Sequence, residues 1–274
     1  MYSKIVFLGP NGTFTHEVAS SLSDDLFFQC SIPSVLKCVE ENHAEVAIVP
    51  IENSIEGSVG LTLDLLVDSD LIIEKEFVVP ISQNLMAKKG VSLENIKNVF
   101  SHSQAISQCQ KYIEKHKLKT HFTLSTAVAA KSIKNINDSG AIGSKKAAEI
   151  YGLEILDENI QDTDNNQTRF VALGKKKTKP TGNDKTSILF TLHDNNPGRL
   201  YETLEIFAKN KINLSKIVSR PLKEGLGTYI FFVDFEGHSD DKKIKAILEK
   251  IEEKVYLLKV LGSYPIAEIG NINK

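Results

Sequence analysis

Short apolar runs broken by glycine- and serine-containing turns set the rhythm of this chain, and most of them lead directly into a helical pattern. Residues 3–8 alternate and end at Gly9-Pro10-Asn11-Gly12, after which Thr13 is placed to cap a helix carrying Glu17 in its first turn. Residues 26–30 read as a second strand, and 33–41 as a helix opened by Ser31 or Pro33. The unbroken apolar run 46–51 has the pattern of a central parallel strand. It empties into Glu52-Asn53-Ser54-Ile55-Glu56-Gly57-Ser58, where Ser54 or Ser58 can cap the helix expected over 61–67. A long strand over 71–79 then closes at Pro80.

The pattern repeats. Val99-Phe100 runs into Ser101-His102-Ser103-Gln104 and a helix over 105–116; residues 121–124 run into Ser125-Thr126 and a helix over 127–136; residues 140–143 run into Ser144 and a helix over 145–151. One serine cap is worth only about 1 kcal/mol. Several that converge present a cluster of anion-accepting N–H groups. Strand–helix alternation of this kind implies parallel sheets. Long strands near 71–79 and again near 155–173 imply that the chain crosses twice between two lobes, leaving a cleft between them.

The stretch DTDNNQTRFVALG (162–174) concentrates candidate chemistry. A polar run gives way to the buried-strand pattern Phe170-Val171-Ala172-Leu173, bounded by Gly174. Thr168 and Arg169 place a hydroxyl donor and a fixed cation at the lip of that strand, and ligands of α/β proteins bind at strand ends. The turn at 9–12 is neither a phosphate loop nor a dinucleotide fingerprint, because Gly-Lys-Ser/Thr and GxGxxG are both absent.

Past Gly174 a Lys/Pro/Gly-containing linker opens a separate layout. Strands over 187–192, 214–219, 228–236 and 255–264 and helices over 199–209 and 240–252 give the order βαββαβ, which is ferredoxin-like. The expected division is 1–174, two lobes around a cleft; 175–185, the linker; and 186–266, a smaller domain whose sheet edge invites a second copy.

Composition narrows the function classes. A chain of 274 residues suits two domains at about 150 residues each. Net charge −2 gives no electrostatic reason to expect nucleic acid or anionic membrane as a partner. Three cysteines without CxxC spacing indicate neither disulfides nor zinc, and each is expected to be a small core side chain. No cofactor signature occurs. Without an apolar run of membrane length or a leader pattern, a soluble cytoplasmic protein is expected.

The segments GPNGTFTHEVA (9–19), PIENSIEGSV (50–59), SHSQAISQC (101–109), STAVAA (125–130), AIGSKKAAEIYGL (141–153) and NNQTRFVALG (165–174) resemble, in order, the motifs of the prephenate dehydratases. The domain after the linker resembles an ACT domain, the small amino-acid-sensing module. The resemblance implies an α/β protein: a two-lobed, periplasmic-binding-protein-like catalytic domain followed by a ferredoxin-like βαββαβ ACT domain. It implies conversion of prephenate to phenylpyruvate with loss of CO₂ and water, a step toward phenylalanine, with no metal and no cofactor.

The same resemblance assigns roles. Thr168 donates to the departing hydroxyl, Arg169 and the capped helix starts hold carboxylates, Phe170 forms an apolar wall, and Asn53 and Ser54 orient substrate oxygens. Glu52, Glu56 and His102 are alternative proton sources. Thr13, Ser101, His102, Ser125, Thr126 and Asn166 complete substrate binding. Phenylalanine, as effector, falls to Asn195, Asn196, Pro197, Gly198, Leu200, Ser219 and Arg220. The regulatory pattern departs at Arg199, where a small residue is usual, and at Val218, where a glutamate is usual. A homodimer or homotetramer with a single activity follows. Arogenate as substrate, a solute-binding protein and a non-catalytic amino-acid sensor are the competing readings.

Overall fold

The computed structural model describes residues 2–194, 196–222 and 228–270. The first lobe begins with β1 (Ile5–Leu8), α1 (Phe14–Ser20), β2 (Leu26–Gln29), α2 (Ile32–Glu40), β3 (Val46–Asn53), β4 (Gly57–Ser58), α3 (Gly60–Asp68) and β5 (Ile72–Pro80). The second comprises β6 (Asn84–Lys88), β7 (Asn98–Ser101), α4 (Ser103–Ser107), α5 (Gln110–Lys115), β8 (Lys119–Phe122), α6 (Thr126–Ser132), β9 (Ser139–Gly143), α7 (Lys145–Tyr151) and β10 (Leu153–Asp157). β11 (Gln167–Gly174) returns to the first lobe. The last unit holds β12 (Asp184–Thr191), α8 (Arg199–Lys209), β13 (Leu214–Pro221), β14 (Tyr229–Glu236), α9 (Lys242–Glu252) and β15 (Leu257–Pro265).

Two crossings join the lobes, one between β5 and β6 and the other between β10 and β11. They explain why both sheets are mixed rather than parallel. The first sheet runs β2-β1-β3-β11-β5, with β1 parallel to β2 and β3. β11 arrives from the other lobe and lies antiparallel to both β3 and β5. The second sheet runs β10-β6-β9-β7-β8, with β7 parallel to β8 and β9 and β6 antiparallel to β9 and β10. The single long strand expected near 155–173 is therefore two strands in two sheets, with the second crossing between them.

Three local expectations change as well. The helix expected over 105–116 breaks at Cys109, whose backbone leaves the helical region at φ −120°, ψ 24°. The break leaves the Gln108 carbonyl free to accept from Asp162 N at 2.7 Å, tying α4 to the second crossing. Helix α3 starts from Val59 without a side-chain cap, so neither Ser54 nor Ser58 serves it. Helix α4 is capped by His102 instead of Ser101, whereas Thr13, Ser31, Ser125 and Ser144 cap as expected.

The last sheet, ordered β13-β14-β12-β15, carries α8 and α9 on one face. Strand alternation sends Ile188 and Phe190 into the core beneath these helices. Leu189 points the other way and joins Ile230, Phe232 and Leu261 in one continuous core with Leu63, Leu66, Ile73 and Leu173 of the first lobe. The smaller domain is thus docked through its open face. Gly262 permits the closest approach: it sits at φ +151°, and a Cβ there would lie 2.3 Å from the Ile73 carbonyl oxygen of β5.

Candidate active site

A cleft of about 370 Å³ lies between the two lobes, within the range of small-ligand sites. Its floor is the start of β11. Thr168 and Phe170, two residues apart, both line it; Arg169 between them does not. A register shift between Arg169 and Phe170 brings Phe170 opposite Pro50 of β3, which has no N–H to give the ladder. Phe170 is also a buried core residue, so wall and packing coincide.

Asn53 ends β3 directly opposite Thr168. Its Oδ1 accepts from the backbone N–H groups of Ile55 (2.9 Å) and Glu56 (3.0 Å), which fixes the carboxamide orientation. Its Nδ2 then donates to Thr168 Oγ1 at 2.9 Å and to Asn166 Oδ1 at 2.8 Å. Thr168 is consequently an acceptor within the protein, and among the described residues its own proton meets no acceptor. That proton is free for a ligand in the cleft. Asn166 Nδ2 continues the chain to Gln108 Oε1 at 2.8 Å, linking the second lobe to the first.

Three helix starts supply further lining. Thr13 of α1 accepts from His16 N at 3.3 Å, Ser125 of α6 accepts from Val128 N at 3.1 Å, and Thr126 adjoins it. His102 lines the cleft at the start of α4, where its Nδ1 accepts from Gln104 N at 3.3 Å. Among the described lining residues there is no Lys, Arg, Asp or Glu. The polar groups that the cleft presents are hydroxyls, amides and the backbone N–H groups of helix starts, a donor set of the kind that suits an anion.

Several expected site residues lie elsewhere. Arg169 is 8% exposed and faces the smaller domain, with Nε on Glu76 (2.7 Å), Nη1 on Asp234 (2.6 Å) and Glu52 (3.3 Å), and Nη2 on Tyr264 (2.7 Å). Burial opposes its charge, but Tyr264, Asp234 and Glu76 outweigh burial and hold it firmly protonated. Glu52, between Arg169 and Lys216 (3.1 Å), shares that face and does not line the cleft. Ser54 bridges Asn165 O (2.8 Å) and Gln167 N (2.9 Å), fastening the start of β11. Glu56 is exposed on the turn beyond and does not line the cleft. Ser101 is fully buried and donates to Ile142 O at 2.7 Å, joining β7 to β9. Cys30, expected in the core, is exposed and lines the cleft, while Cys38 and Cys109 are buried. The lining also includes Gln83, Gln104 and Gln108, which sequence reasoning passed over. Gln104 and Gln108, four apart on one helical face, were the legible signal.

Comparison with known proteins fits this geometry. The family model for prephenate dehydratase matches residues 5–178, and that for the ACT domain matches 186–253. The chain belongs to the prephenate dehydratase family. It is 44% identical over 269 residues to the bifunctional chorismate mutase/prephenate dehydratase of Aquifex aeolicus, covering 96% of this chain and 74% of that one. It is 42% identical over 278 residues to the prephenate dehydratase of Methanocaldococcus jannaschii, covering 97% and 99%. The structure of the prephenate dehydratase from Arthrobacter aurescens in complex with L-Phe superposes with a TM-score of 0.89 at 33% identity, covering 96% and 90%.

In this member of the prephenate dehydratase family the ACT-domain turn is partly described. Asn196 and Pro197 are exposed, and Gly198 opens α8 at φ +93°. Arg199 is occupied by Asp194 (3.4 Å) and Glu202 (3.4 Å), and Leu200 packs on the helix-side core. Asn195 lies outside the described residues. On β13, Ser219 is exposed and Arg220 faces the other way. Arg220 holds Asp64 of α3 bidentately at 2.5 and 3.0 Å, a contact with the first lobe.

Proposed function

We propose that this chain is a prephenate dehydratase whose hydrogen-bond donor to the departing hydroxyl is Thr168. The observation that carries the reading is the Asn53–Thr168 bond, in which the hydroxyl is an acceptor, so that its proton is available to a ligand in the cleft. Prephenate is a dianion with one ring hydroxyl. Cleavage of the bond to the ring carboxylate releases CO₂; its electron pair restores the aromatic sextet and expels the hydroxyl, which leaves as water after taking a proton. Thr168 stabilises the charge developing on the leaving oxygen. His102, the one imidazole among the described lining residues, is placed to supply the proton. The carboxylates are received by the starts of α1, α4 and α6 with Thr13, Ser125 and Thr126, and Asn166 steadies the amide chain behind them.

Phenylalanine as effector, bound through Asn196, Pro197, Gly198, Leu200 and Ser219, belongs to the same proposal. So do pairing of ACT domains along the edge strand β13 into a homodimer or homotetramer and a cytoplasmic location. The test is direct: purified protein is incubated with prephenate or with arogenate, and phenylpyruvate or phenylalanine is quantified. Formation of phenylpyruvate supports the reading. Turnover of arogenate alone moves the substrate to the amino analogue, and turnover of neither rejects a dehydratase.

A further inference from the structure

Two residue pairs stand side by side across β3 and β11. Asn53 and Thr168 face the cleft; the next pair, Glu52 and Arg169, faces the ACT domain. The second pair is built into a buried charge network to which every strand of the ACT sheet contributes. Lys185 of β12 reaches Glu76 at 2.8 Å, Lys216 of β13 reaches Glu52 at 3.1 Å, and Asp234 of β14 reaches Arg169 at 2.6 Å. Tyr264 of β15 accepts from Arg169 at 2.7 Å, and Ser187 joins Tyr264 to Asp234 at 2.5 Å each. Cations and anions balance among Arg169, Lys185, Lys216, Glu52, Glu76 and Asp234. Charges buried in this way hold a geometry tightly, because moving one partner leaves the other desolvated and unpaired.

We propose that Asp234 and Lys216 of the ACT domain are positioning residues for the reaction, acting through Arg169 and Glu52 to fix the Thr168–Asn53 pair. The inference rests on the dehydratase reading. Neither ACT residue touches the cleft. The coupling is short: Arg169 is bonded to Thr168 and Glu52 to Asn53, so a shift of either the buried Arg169 or the half-buried Glu52 side chain turns the strand that presents the donor. A misplacement of about 1 Å at a catalytic group is enough to cost on the order of 10²-fold in rate.

The structure supplies a matched control. The Arg220–Asp64 pair also crosses between the ACT and catalytic domains, but it is anchored on α3 rather than on β3 or β11. The full-length protein is compared as wild type, Asp234→Asn, Lys216→Met and Asp64→Asn, by kcat and KM for prephenate below the Tm of each variant. Hydrogen exchange is measured in the peptide spanning 165–170. Asp234→Asn and Lys216→Met are expected to lower kcat about tenfold or more with KM within about twofold. Both are expected to raise exchange in 165–170. Asp64→Asn is expected to lower Tm while keeping kcat within about twofold. Wild-type kcat and unchanged exchange in the two network variants would overturn the proposal, as would an equal loss of kcat in Asp64→Asn. If Asp234→Asn does not fold, Lys216→Met decides alone. Wild-type turnover tests the dehydratase reading separately, and the exchange result stands without it.

Discussion

At the scale of single residues, function turns on which way consecutive strand residues face. Thr168 and Arg169 are neighbours in sequence, yet one meets the cleft and the other meets Asp234 and Glu76. Their substitutions are therefore expected to fail differently. Arg169→Met leaves Glu76 and Asp234 short of a buried partner and is expected to destabilise the fold by about 3–5 kcal/mol in denaturant titration. Asn53→Ala removes the donor that orients Thr168 and is expected to lower kcat by about 10²-fold while the thermal transition persists. Asp234 gives the pH dependence. Burial opposes its charge, but Arg169, Ser187 and Lys216 overcome that and hold its carboxyl below the usual carboxylate range. A carboxyl depressed in the folded state contributes stability above its unfolded value near ~4, and the contribution disappears as pH falls through the folded value. The Tm gap between wild type and Asp234→Asn should be constant above about pH 5 and narrow below about pH 4.

At the scale of elements, much of the chain was legible from local rules, although the caps expected of Ser101 and of Ser54 or Ser58 are not made. The caps at Thr13, Ser31, Ser125 and Ser144 and the βαββαβ order of the last unit follow from residue type and spacing. What stayed hidden depends on contacts between distant segments. The mixed sheets arise because β11 returns from the other lobe, and the break at Cys109 accompanies a bond from Asp162 across the second crossing. Arg169 and Arg220 share one cause of their orientation. Each sits on a strand beside a site residue, and period-two alternation turns it to the opposite face. The motif names the pair, but only the register says which way each member faces. At the cap of α6, Ser125→Ala should cost about 1 kcal/mol in stability, read by chemical denaturation, and should raise KM for prephenate as well.

At the scale of the whole molecule, the ACT domain is a structural part of the catalytic lobe. Leu189, Ile230, Phe232 and Leu261 share a core with Leu63, Leu66 and Leu173, so removing the domain exposes that apolar face. A chain ending at residue 178 is expected to aggregate, as seen by size-exclusion chromatography, whereas a cleanly detachable regulator would leave a soluble, active lobe. Gly262→Ala tests the same docking without truncation: a Cβ directed at the Ile73 carbonyl should lower Tm by several degrees.

The most direct test of the account is kcat on prephenate for wild type, Thr168→Ser and Thr168→Ala, with folding checked by circular dichroism. A hydroxyl that donates to the leaving oxygen predicts a fall of about 10²–10⁴-fold in Thr168→Ala and substantial retention in Thr168→Ser. Wild-type turnover by folded Thr168→Ala would contradict the account at its centre and remove Thr168 from the chemistry.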